Sequence, residues 1–273
     1  MPSDNASNYL LASNADEMQR LRLQAQVWAP AATAFLAGLD IRSGSRVLDL
    51  GCGAMGVLEP LSRLVGKQGT VVGLDRDAVQ LAAARAYVAE ANLANVSIIE
   101  GDAFNTGLPA GDFDLVHVRF LFAPVGRDAE LLTEVLRLVR PGGIIATQEP
   151  DASCWNVAPP DPSWTKLKMA ILAAFRAGGG DFDAGCRTFG MLRAAGLRQV
   201  SQCNAVLAVT GTHPYKKLPL QFAASLRNRI IEGGFLSEPQ LDGCLADAAA
   251  VAEDPGSVMT TFIVTQVAGQ KAS

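Results

Sequence analysis

Short apolar runs alternate with helical patterns along residues 45–150. Runs rich in Val, Ile and Leu are typical of strands that are buried on both faces of a parallel sheet. Between them, apolar residues recur at the spacing of helices that pack through one face. This alternation predicts an α/β fold with helices on both faces of the sheet. The predicted strands are 46–50, 70–74, 96–100, 113–118 and 144–148, and the predicted helices are 57–65, 78–91 and 129–139.

The pattern differs on either side of this alternating region. Residues 1–40 are predicted to form a helical lid segment, with a helix from Asp16 to Leu36 that is interrupted at Pro30. We expect residues 41–273 to form one domain, in which a mostly helical insertion at about 210–257 covers one end of the sheet. Beyond residue 150 the predicted helices are 164–177, 187–195 and 216–253, and the predicted strands are 199–209 and 259–267.

Composition places the chain among packed globular proteins and argues against several classes of function. Of 273 residues, 49% are hydrophobic and 18% are charged, and the formal net charge is −4 without a cluster of Lys or Arg. Nucleic-acid-binding surfaces are basic, so we expect no nucleic-acid partner. No stretch approaches the roughly 20 apolar residues of a membrane span and no signal peptide is apparent, so we expect a cytoplasmic protein without a membrane partner. The five cysteines form no C-x-x-C pair, which favours reduced thiols over disulfides or a metal site.

The stretch VLDLGCGAMG, at Val47–Gly56, has the G-x-G-x-x-G spacing of a ligand-binding loop. A glycine-rich turn between a strand and a helix lets the backbone approach a ligand closely, and the helix N-terminus favours negative charge. That spacing alone suits NAD or FAD. Asp49, however, lies two residues before the first glycine, where its carboxylate would repel a pyrophosphate. The acid favours a ligand with an ammonium group, bound at the carboxyl ends of the strands.

Two further acids end the next two predicted strands. Asp75 ends the second strand, where a carboxylate can accept hydrogen bonds from both hydroxyls of a ribose. Asp102 ends the third strand, where it can accept a hydrogen bond from an adenine amino group, with the Ala103 amide at a ring nitrogen. S-adenosylmethionine combines an ammonium, a sulfonium, a ribose and an adenine, and it has no phosphate. The acids therefore favour S-adenosylmethionine as the cofactor.

Five segments resemble, in order and spacing, the successive motifs of the class I S-adenosylmethionine-dependent methyltransferases. The closer likeness is to bacterial small-molecule methyltransferases of the ubiquinone and menaquinone biosynthesis type. The segments are VLDLGCGAMG, VVGLDRD, IEGDAF, FDLVHVRFLF and LRLVRPGGIIATQE, within about residues 45–150. The resemblance implies a doubly wound, seven-stranded, mostly parallel sheet whose last strand runs antiparallel beside the fifth. It also implies S-adenosylhomocysteine as the product.

The resemblance assigns cofactor contacts by position. The glycine motif surrounds the methionine moiety, the acid of the second strand binds the ribose, and the acid of the third strand binds the adenine. The position that ends the fourth strand lines the methionine end and the substrate mouth. The chain departs from many members at Ala54-Met55, where they have Thr-Gly, and we expect a bulkier loop there. The matched residues are Asp49, Gly51, Gly53, Asp75, Arg76, Asp102, Ala103 and Arg119.

Few side chains are candidates for moving a proton on the acceptor. Glu149 and Asp151 follow the fifth strand, where one of them orients the substrate or takes its proton, or both are solvated loop acids. His213, on the loop that starts the insertion, either faces the substrate or has a structural role. His117 lies inside an apolar strand, where a satisfied buried histidine is favoured over a base. The catalytic candidates are thus Glu149 and His213.

An acceptor pocket is predicted beside the cofactor. Related enzymes fold an N-terminal segment over the cofactor, which would bring Tyr9 and Arg22 near it. Aromatic side chains predict a flat or apolar acceptor. The predicted walls are Phe120, Phe122, Trp155, Phe189, Tyr215 and Phe222.

The predicted reaction is methyl transfer to an O, N or C nucleophile of a small molecule, driven by proximity and orientation. Two alternatives stay open. One is a nicotinamide-dinucleotide oxidoreductase, and the other is a non-catalytic S-adenosylmethionine-binding protein. Both a monomer and a homodimer are compatible with the sequence.

Overall fold

A computed structural model describes residues 15–273 of the chain. The strands are β1 (Arg46–Leu50), β2 (Thr70–Asp75), β3 (Val96–Glu100), β4 (Phe113–Arg119), β5 (Val139–Asp151), β6 (Asn156–Ala158), β7 (Arg198–Ala205), β8 (Ala208–Val209), β9 (Val258–Thr260) and β10 (Ile263–Gln270). The helices are α1 (Ala15–Ala37), α2 (Leu58–Val65), α3 (Ala78–Glu90), α4 (Phe122–Val125), α5 (Asp128–Leu138), α6 (Pro162–Ala177), α7 (Gly185–Ala194), α8 (Leu218–Ser225), α9 (Arg227–Glu232) and α10 (Glu238–Glu253). Short 3-10 turns lie at Ala152–Cys154 and Pro214–Lys217.

Seven strands form the main sheet, in the order β3-β2-β1-β4-β5-β10-β7. The pairs from β3 to β5 are parallel, and β10 is antiparallel to both β5 and β7. The prediction of a seven-stranded, mostly parallel sheet with its last strand antiparallel beside the fifth is confirmed. The chain builds the sheet outward from β1 to β3 and then returns to the other side of β1, so a crevice opens between the carboxyl ends of β1 and β4.

Burial explains why β1 lies in the interior of the sheet, and a capping side chain explains where α3 begins. Val47 and Leu48 are both fully buried, and because successive side chains of a strand point to opposite faces, β1 is covered on both sides. Helix α3 begins at Ala78 because Oδ1 of Asp77 accepts the N–H groups of Val79 and Gln80 at 2.9 and 3.0 Å.

Helix α1 runs without a break through Pro30, so the predicted interruption is wrong. Proline removes one backbone hydrogen bond, which the carbonyl of Gln26 would otherwise accept, and both residues lie on the exposed face of the helix. On the buried face, Nε1 of Trp28 donates to the Tyr215 hydroxyl at 2.8 Å. Helix α1 is thereby joined to the start of the helical insertion.

Two predicted strands are each divided in the structure. The run 199–209 becomes β7 and β8, and the run 259–267 becomes β9 and β10; β6, β9 and β8 form a separate antiparallel sheet. The two breaks face each other, because Thr261 donates its N–H to the Leu207 carbonyl at 2.9 Å and its hydroxyl accepts the Leu207 N–H at 3.0 Å. This reciprocal pair fixes the corner from which the chain enters β10.

One buried lysine holds together the two ends of the helical segment formed by residues 214–253. Nζ of Lys216 donates to the carbonyls of Gly211, Asp254 and Ser257 at 2.8, 2.7 and 3.2 Å. Helices α8 to α10 lie between these attachment points. None of the helices within residues 15–273 combines the length and the apolar character that a membrane crossing requires.

Candidate active site

A cavity of about 760 Å³ opens at the carboxyl ends of the parallel strands. Its volume falls in the range typical of small-molecule and cofactor sites. The structure brings together in its wall all eight residues that the sequence matched to the cofactor: Asp49, Gly51, Gly53, Asp75, Arg76, Asp102, Ala103 and Arg119.

The glycine loop after β1 is shaped by close approach at two positions. Gly51 has a φ of +75°, and a Cβ there would lie 2.9 Å from the Cδ2 atom of Leu121. Gly56 has a φ of +47°, and a Cβ there would lie 2.6 Å from Oδ2 of Asp49. Both the left-handed conformation and the available space therefore require glycine. Met55, at the position where the sequence departs from many relatives, also lines the cavity.

Asp75 joins the end of β2 to the glycine loop. Its Oδ2 accepts the N–H of Gly53 at 2.9 Å, and its Oδ1 accepts the N–H of Asp77 at 3.0 Å. Burial raises the pKa of Asp75 above its ordinary value, and these backbone hydrogen bonds oppose the rise. Each oxygen keeps a lone pair for a further donor, which suits a pair of neighbouring hydroxyls.

Asp49 is held by a chain of buried polar groups across three strands. Its Oδ1 lies 2.8 Å from Nδ1 of His117 on β4, and Nε2 of His117 lies 3.1 Å from Oε1 of Gln148 on β5. His117 is fully buried with both ring nitrogens partnered, as the sequence analysis favoured. The second oxygen of Asp49 has the Val57 N–H at 3.5 Å, and this oxygen faces the glycine loop.

Asp102 and Ala103 lie at the rim of the cavity beside an aromatic ring that sequence reasoning missed. Oδ1 of Asp102 accepts the N–H of Phe104 at 3.0 Å, and Phe104 itself lines the cavity. The guanidinium carbon of Arg127 lies 3.8 Å from the centroid of the Phe104 ring. The rim thus combines an acid with a flat apolar surface, which fits a planar heterocycle.

Arg119 brings a buried positive charge to the cavity. Its side chain is only 9% exposed, and within the described part of the chain its Nη1 atom has no hydrogen-bond partner. Burial lowers the pKa of Arg119 to about 10, so the guanidinium is protonated at neutral pH. A buried cation in the wall of a cavity is suited to an anionic group of a ligand.

Neither predicted catalytic residue lines the cavity. Glu149 is fully buried beneath the turn after β4, because its side chain leaves β5 on the side of that turn. His213 is exposed, and its Nδ1 accepts the N–H of Tyr215 at 3.2 Å, so it caps the 3-10 turn at Pro214–Lys217. Asp151 caps the other 3-10 turn through the Ser153 N–H.

One part of the cavity has aromatic walls, and of the aromatic residues that the sequence predicted for an acceptor pocket only Phe120 and Phe222 belong to them. The other predicted walls lie elsewhere. Trp155, for example, is buried behind the cavity and stacks on Phe182 with ring centroids 5.5 Å apart. The wall residues that sequence reasoning missed are Phe175, Phe182 and Phe262, and the predicted residues outside the wall are Phe122, Trp155, Phe189 and Tyr215.

Helix α1 contributes a polar edge to the same cavity. Arg20 and Gln24 line it, and Nη1 of Arg20 donates to Oε1 of Gln24 at 2.7 Å. Arg20 is also paired with Glu17 at 2.6 Å and lies over the Phe222 ring. Arg22 is exposed outside the cavity, and Tyr9 lies outside the described residues. Between residues 15 and 273 no cluster of three or more His, Cys, Asp or Glu side chains could hold a metal ion.

Known proteins match part of this chain in sequence. Residues 41–174 match the family described as a methyltransferase domain. The chain is 35% identical over 111 residues to a demethylmenaquinone methyltransferase of Shouchella clausii, which covers 41% of this chain and 47% of that protein. It is 36% identical over 125 residues to nocamycin O-methyltransferase of Saccharothrix syringae, covering 46% and 45%. The chain thus spans about half the length of the curated relatives it matches.

Solved structures share the fold at low sequence identity. YcgJ of Bacillus subtilis has a TM-score of 0.56 at 17% identity, covering 88% of this chain and 97% of that one. Phosphoethanolamine N-methyltransferase 2 of Haemonchus contortus, solved with S-adenosylhomocysteine, has a TM-score of 0.57 at 15% identity, covering 95% and 58%. The [4+2]-cyclase SpnF has a TM-score of 0.53 at 19% identity, covering 89% and 80%. These likenesses concern the fold alone.

Residues 41–174 of the chain form a methyltransferase domain, and the sheet around them has the topology that the sequence predicted for the class I S-adenosylmethionine-dependent methyltransferases.

Proposed function

We propose that this protein binds S-adenosylmethionine in the 760 Å³ cavity and transfers its methyl group to an O, N or C nucleophile of a small, apolar or aromatic molecule. One observation carries the proposal. The acids Asp49, Asp75 and Asp102 lie at the carboxyl ends of three adjacent parallel strands and line one cavity around a glycine loop. A dinucleotide would place its pyrophosphate against this loop, where the Asp49 carboxylate would repel it.

Each part of the cofactor has a complementary group. Asp75 would accept hydrogen bonds from the ribose hydroxyls, and Asp102 with the Ala103 amide would bind the adenine edge. Asp49 favours the ammonium of the methionine moiety. Arg119 supplies a positive charge within reach of the same end of the cavity, which suits the methionine carboxylate. A zwitterionic end group would thus have an anionic and a cationic side chain of the protein available to it.

The role of the residues in the transfer is to orient two ligands. S-adenosylmethionine supplies a methyl group that its sulfonium already activates. Once the methyl group is transferred, S-adenosylhomocysteine is the leaving group. In-line displacement needs the acceptor nucleophile directly behind that methyl, so the aromatic walls would act by holding the acceptor at one angle and by excluding water. Because Glu149 and His213 lie outside the cavity wall, we propose that neither takes the acceptor proton.

The walls also indicate the chemical class of the acceptor. Phe120, Phe175, Phe182, Phe222 and Phe262 offer apolar ring surfaces, and Arg20 with Gln24 offers polar contacts at the edge. A flat molecule with at least one oxygen or nitrogen at its edge would use both. The curated relatives, which are named for demethylmenaquinone and nocamycin, support a small-molecule acceptor.

The cofactor assignment is tested by calorimetric titration with S-adenosylhomocysteine and, separately, with NAD. The variant Asp75→Asn keeps the size of the side chain but removes its charge, and it should weaken S-adenosylhomocysteine binding by about 10-fold or more. The control Asp112→Asn removes an acid that pairs with Arg46 at the other end of β4, and it should leave the affinity within about twofold.

Binding of NAD without binding of S-adenosylhomocysteine would overturn the proposal in favour of an oxidoreductase. Binding of S-adenosylhomocysteine establishes only the cofactor. Incubation with S-adenosylmethionine and a panel of phenols, quinols and amines then separates an enzyme from a non-catalytic binding protein, because only an enzyme forms S-adenosylhomocysteine at a rate that depends on the acceptor.

A further inference from the structure

A buried carboxyl group supports the turn that follows β4. Oε1 of Glu149 accepts the N–H groups of Leu121 and Phe122 at 2.9 and 3.1 Å, and Oε2 accepts the N–H of Ala123 at 3.1 Å. Glu149 is fully buried and does not line the cavity. Three converging backbone donors fit a carboxyl group whose two oxygens both accept hydrogen bonds, and they are the hydrogen-bond partners of this side chain among the described residues.

The turn is in a conformation that needs such support. Phe120 has a φ of +53°, in the left-handed region that favours glycine, and for other residues this conformation costs about 1–2 kcal/mol. Its N–H donates to the Gln148 carbonyl at 3.0 Å. Four consecutive N–H groups, from Phe120 to Ala123, are therefore accepted by two neighbouring residues of β5. A strained backbone persists when its surroundings fix it in this way.

The turn carries side chains to both halves of the cavity. Leu121 packs against Gly51 of the glycine loop, where a Cβ would lie 2.9 Å from its Cδ2 atom. The Phe120 ring lies 5.1 Å from the guanidinium carbon of Arg119 and 6.0 Å from the ring centroid of Phe262. A shift of this turn would thus move contacts of the methionine end and of the acceptor wall together.

We propose that Glu149 is a positioning residue, which holds residues 120–123 so that Leu121 supports the cofactor loop and Phe120 faces the acceptor. The proposal rests on the proposed function, because it concerns the same cavity. Glu149 itself touches neither ligand and acts through the backbone of the turn.

The test compares Glu149→Met with the matched control Glu134→Met. Glu134 is also a buried carboxylate that serves a loop, since its Oε1 accepts the N–H and the hydroxyl of Thr106 at 3.0 and 2.6 Å. Neither residue of that pair lines the cavity. Both substitutions leave backbone N–H groups without their acceptor, and Glu134→Met also breaks the ion pair with Arg137 at 2.7 Å, so both should lower the free energy of unfolding measured with urea.

Only Glu149→Met should change the site. We expect its S-adenosylhomocysteine affinity to fall by about 10-fold and the amides of residues 121–123 to exchange hydrogen at least about 10 times faster, whereas Glu134→Met should keep both within about twofold. The milder variant Glu149→Gln retains one acceptor oxygen, so it should release chiefly the Ala123 amide and lose less affinity. It serves as the test if Glu149→Met does not fold.

One result would overturn the proposal: the two Met variants lose equal stability, while the Glu149 variants keep the original affinity and the original hydrogen exchange at residues 121–123. Glu149 would then act on stability alone. Failure of the unsubstituted protein to bind S-adenosylhomocysteine would instead overturn the proposed function. In that case the exchange of the three amides still decides whether Glu149 holds the turn.

Discussion

Nδ1 of His117 lies 2.8 Å from Oδ1 of Asp49, and the two residues are directly paired across the parallel strands β1 and β4. Because paired residues share one face of the sheet, the imidazole holds the carboxylate so that its second oxygen faces the glycine loop. The histidine therefore orients an acid of the proposed cofactor site while lying wholly within the core.

Removal of this histidine should weaken ligand binding, because Asp49 would no longer be held in place. In His117→Ala the buried carboxylate loses its closest donor, so we expect a loss of about 2 kcal/mol in the free energy of unfolding and several-fold weaker binding of S-adenosylhomocysteine. His117→Asn places an amide N–H near the position of Nδ1 and should retain most of the affinity. Urea denaturation and calorimetry measure the two effects, and an alanine variant that binds as tightly as the original protein would refute this role.

Arg119 should show opposite effects on binding and on stability. Its guanidinium is buried without an ion pair among residues 15–273, so replacement by the apolar Arg119→Met should leave the free energy of unfolding unchanged or raise it. The same variant should bind S-adenosylhomocysteine at least about 10-fold more weakly, because the ligand loses a charge-assisted contact. Arg46→Met, outside the cavity, is the control. Unchanged affinity in Arg119→Met would remove this residue from the cofactor site.

Phe222 should affect the acceptor and not the cofactor. It lines the cavity from α8, on the side where the other aromatic walls lie, and it is 4% exposed. Phe222→Ala should raise the KM for the first acceptor that supports turnover by about 10-fold or more, since a buried aromatic contact is lost. Titration of the same variant with S-adenosylhomocysteine should give the original Kd. A parallel loss of cofactor affinity would show that the acceptor and cofactor parts of the cavity are not separable.

Glu149 should make stability depend on pH in the neutral range. Burial raises its pKa to about 8, the charge of Asp128 acts in the same direction, and the three backbone hydrogen bonds oppose the rise. Between the ordinary value of 4.5 and this value the native protein keeps a proton that the unfolded chain releases, so the free energy of unfolding contributed by Glu149 falls as the pH rises. The limiting slope is about 1.4 kcal/mol per pH unit.

Urea denaturation at a series of pH values compares the original protein with Glu149→Gln, which lacks this titration. The curve of the variant should fall less steeply from about pH 5 to pH 8. Parallel curves for the two proteins would mean that Glu149 is ionised throughout this range in the native state.

The hydrophobic pattern was sufficient to predict the parallel half of the fold, because the strands there are buried on both faces. The run at β1 and the acids that end β1 to β3 are local signals, and the structure brings those acids to one cavity. The division of 259–267 into β9 and β10 is not a local property. It depends on Val258–Thr260 pairing with Asn156–Ala158, about a hundred residues earlier in the chain.

The wrong predictions at the site arise because the sequence pattern does not show in which direction a side chain points. Glu149 lies near the end of β5 and Trp155 follows this strand, yet Glu149 points beneath a turn and Trp155 lies behind Phe182. Conversely, Phe262 enters the cavity only because the Thr261 corner turns the chain toward it. An aromatic residue between two strands carries no local sign of that position.

The aromatic walls and the segment that matches relatives barely overlap. Phe182, Phe222, Phe262 and the polar pair of α1 all lie outside residues 41–174, whereas the three acids and the glycine loop lie inside. Under the proposed function, the donor site therefore lies in the segment that matches the methyltransferase-domain family, and most of the acceptor wall lies outside it. Substitutions at Phe182, Phe222 or Phe262 would alter that wall without changing any of the three acids, so the choice of acceptor would be free to change while the donor acids are kept.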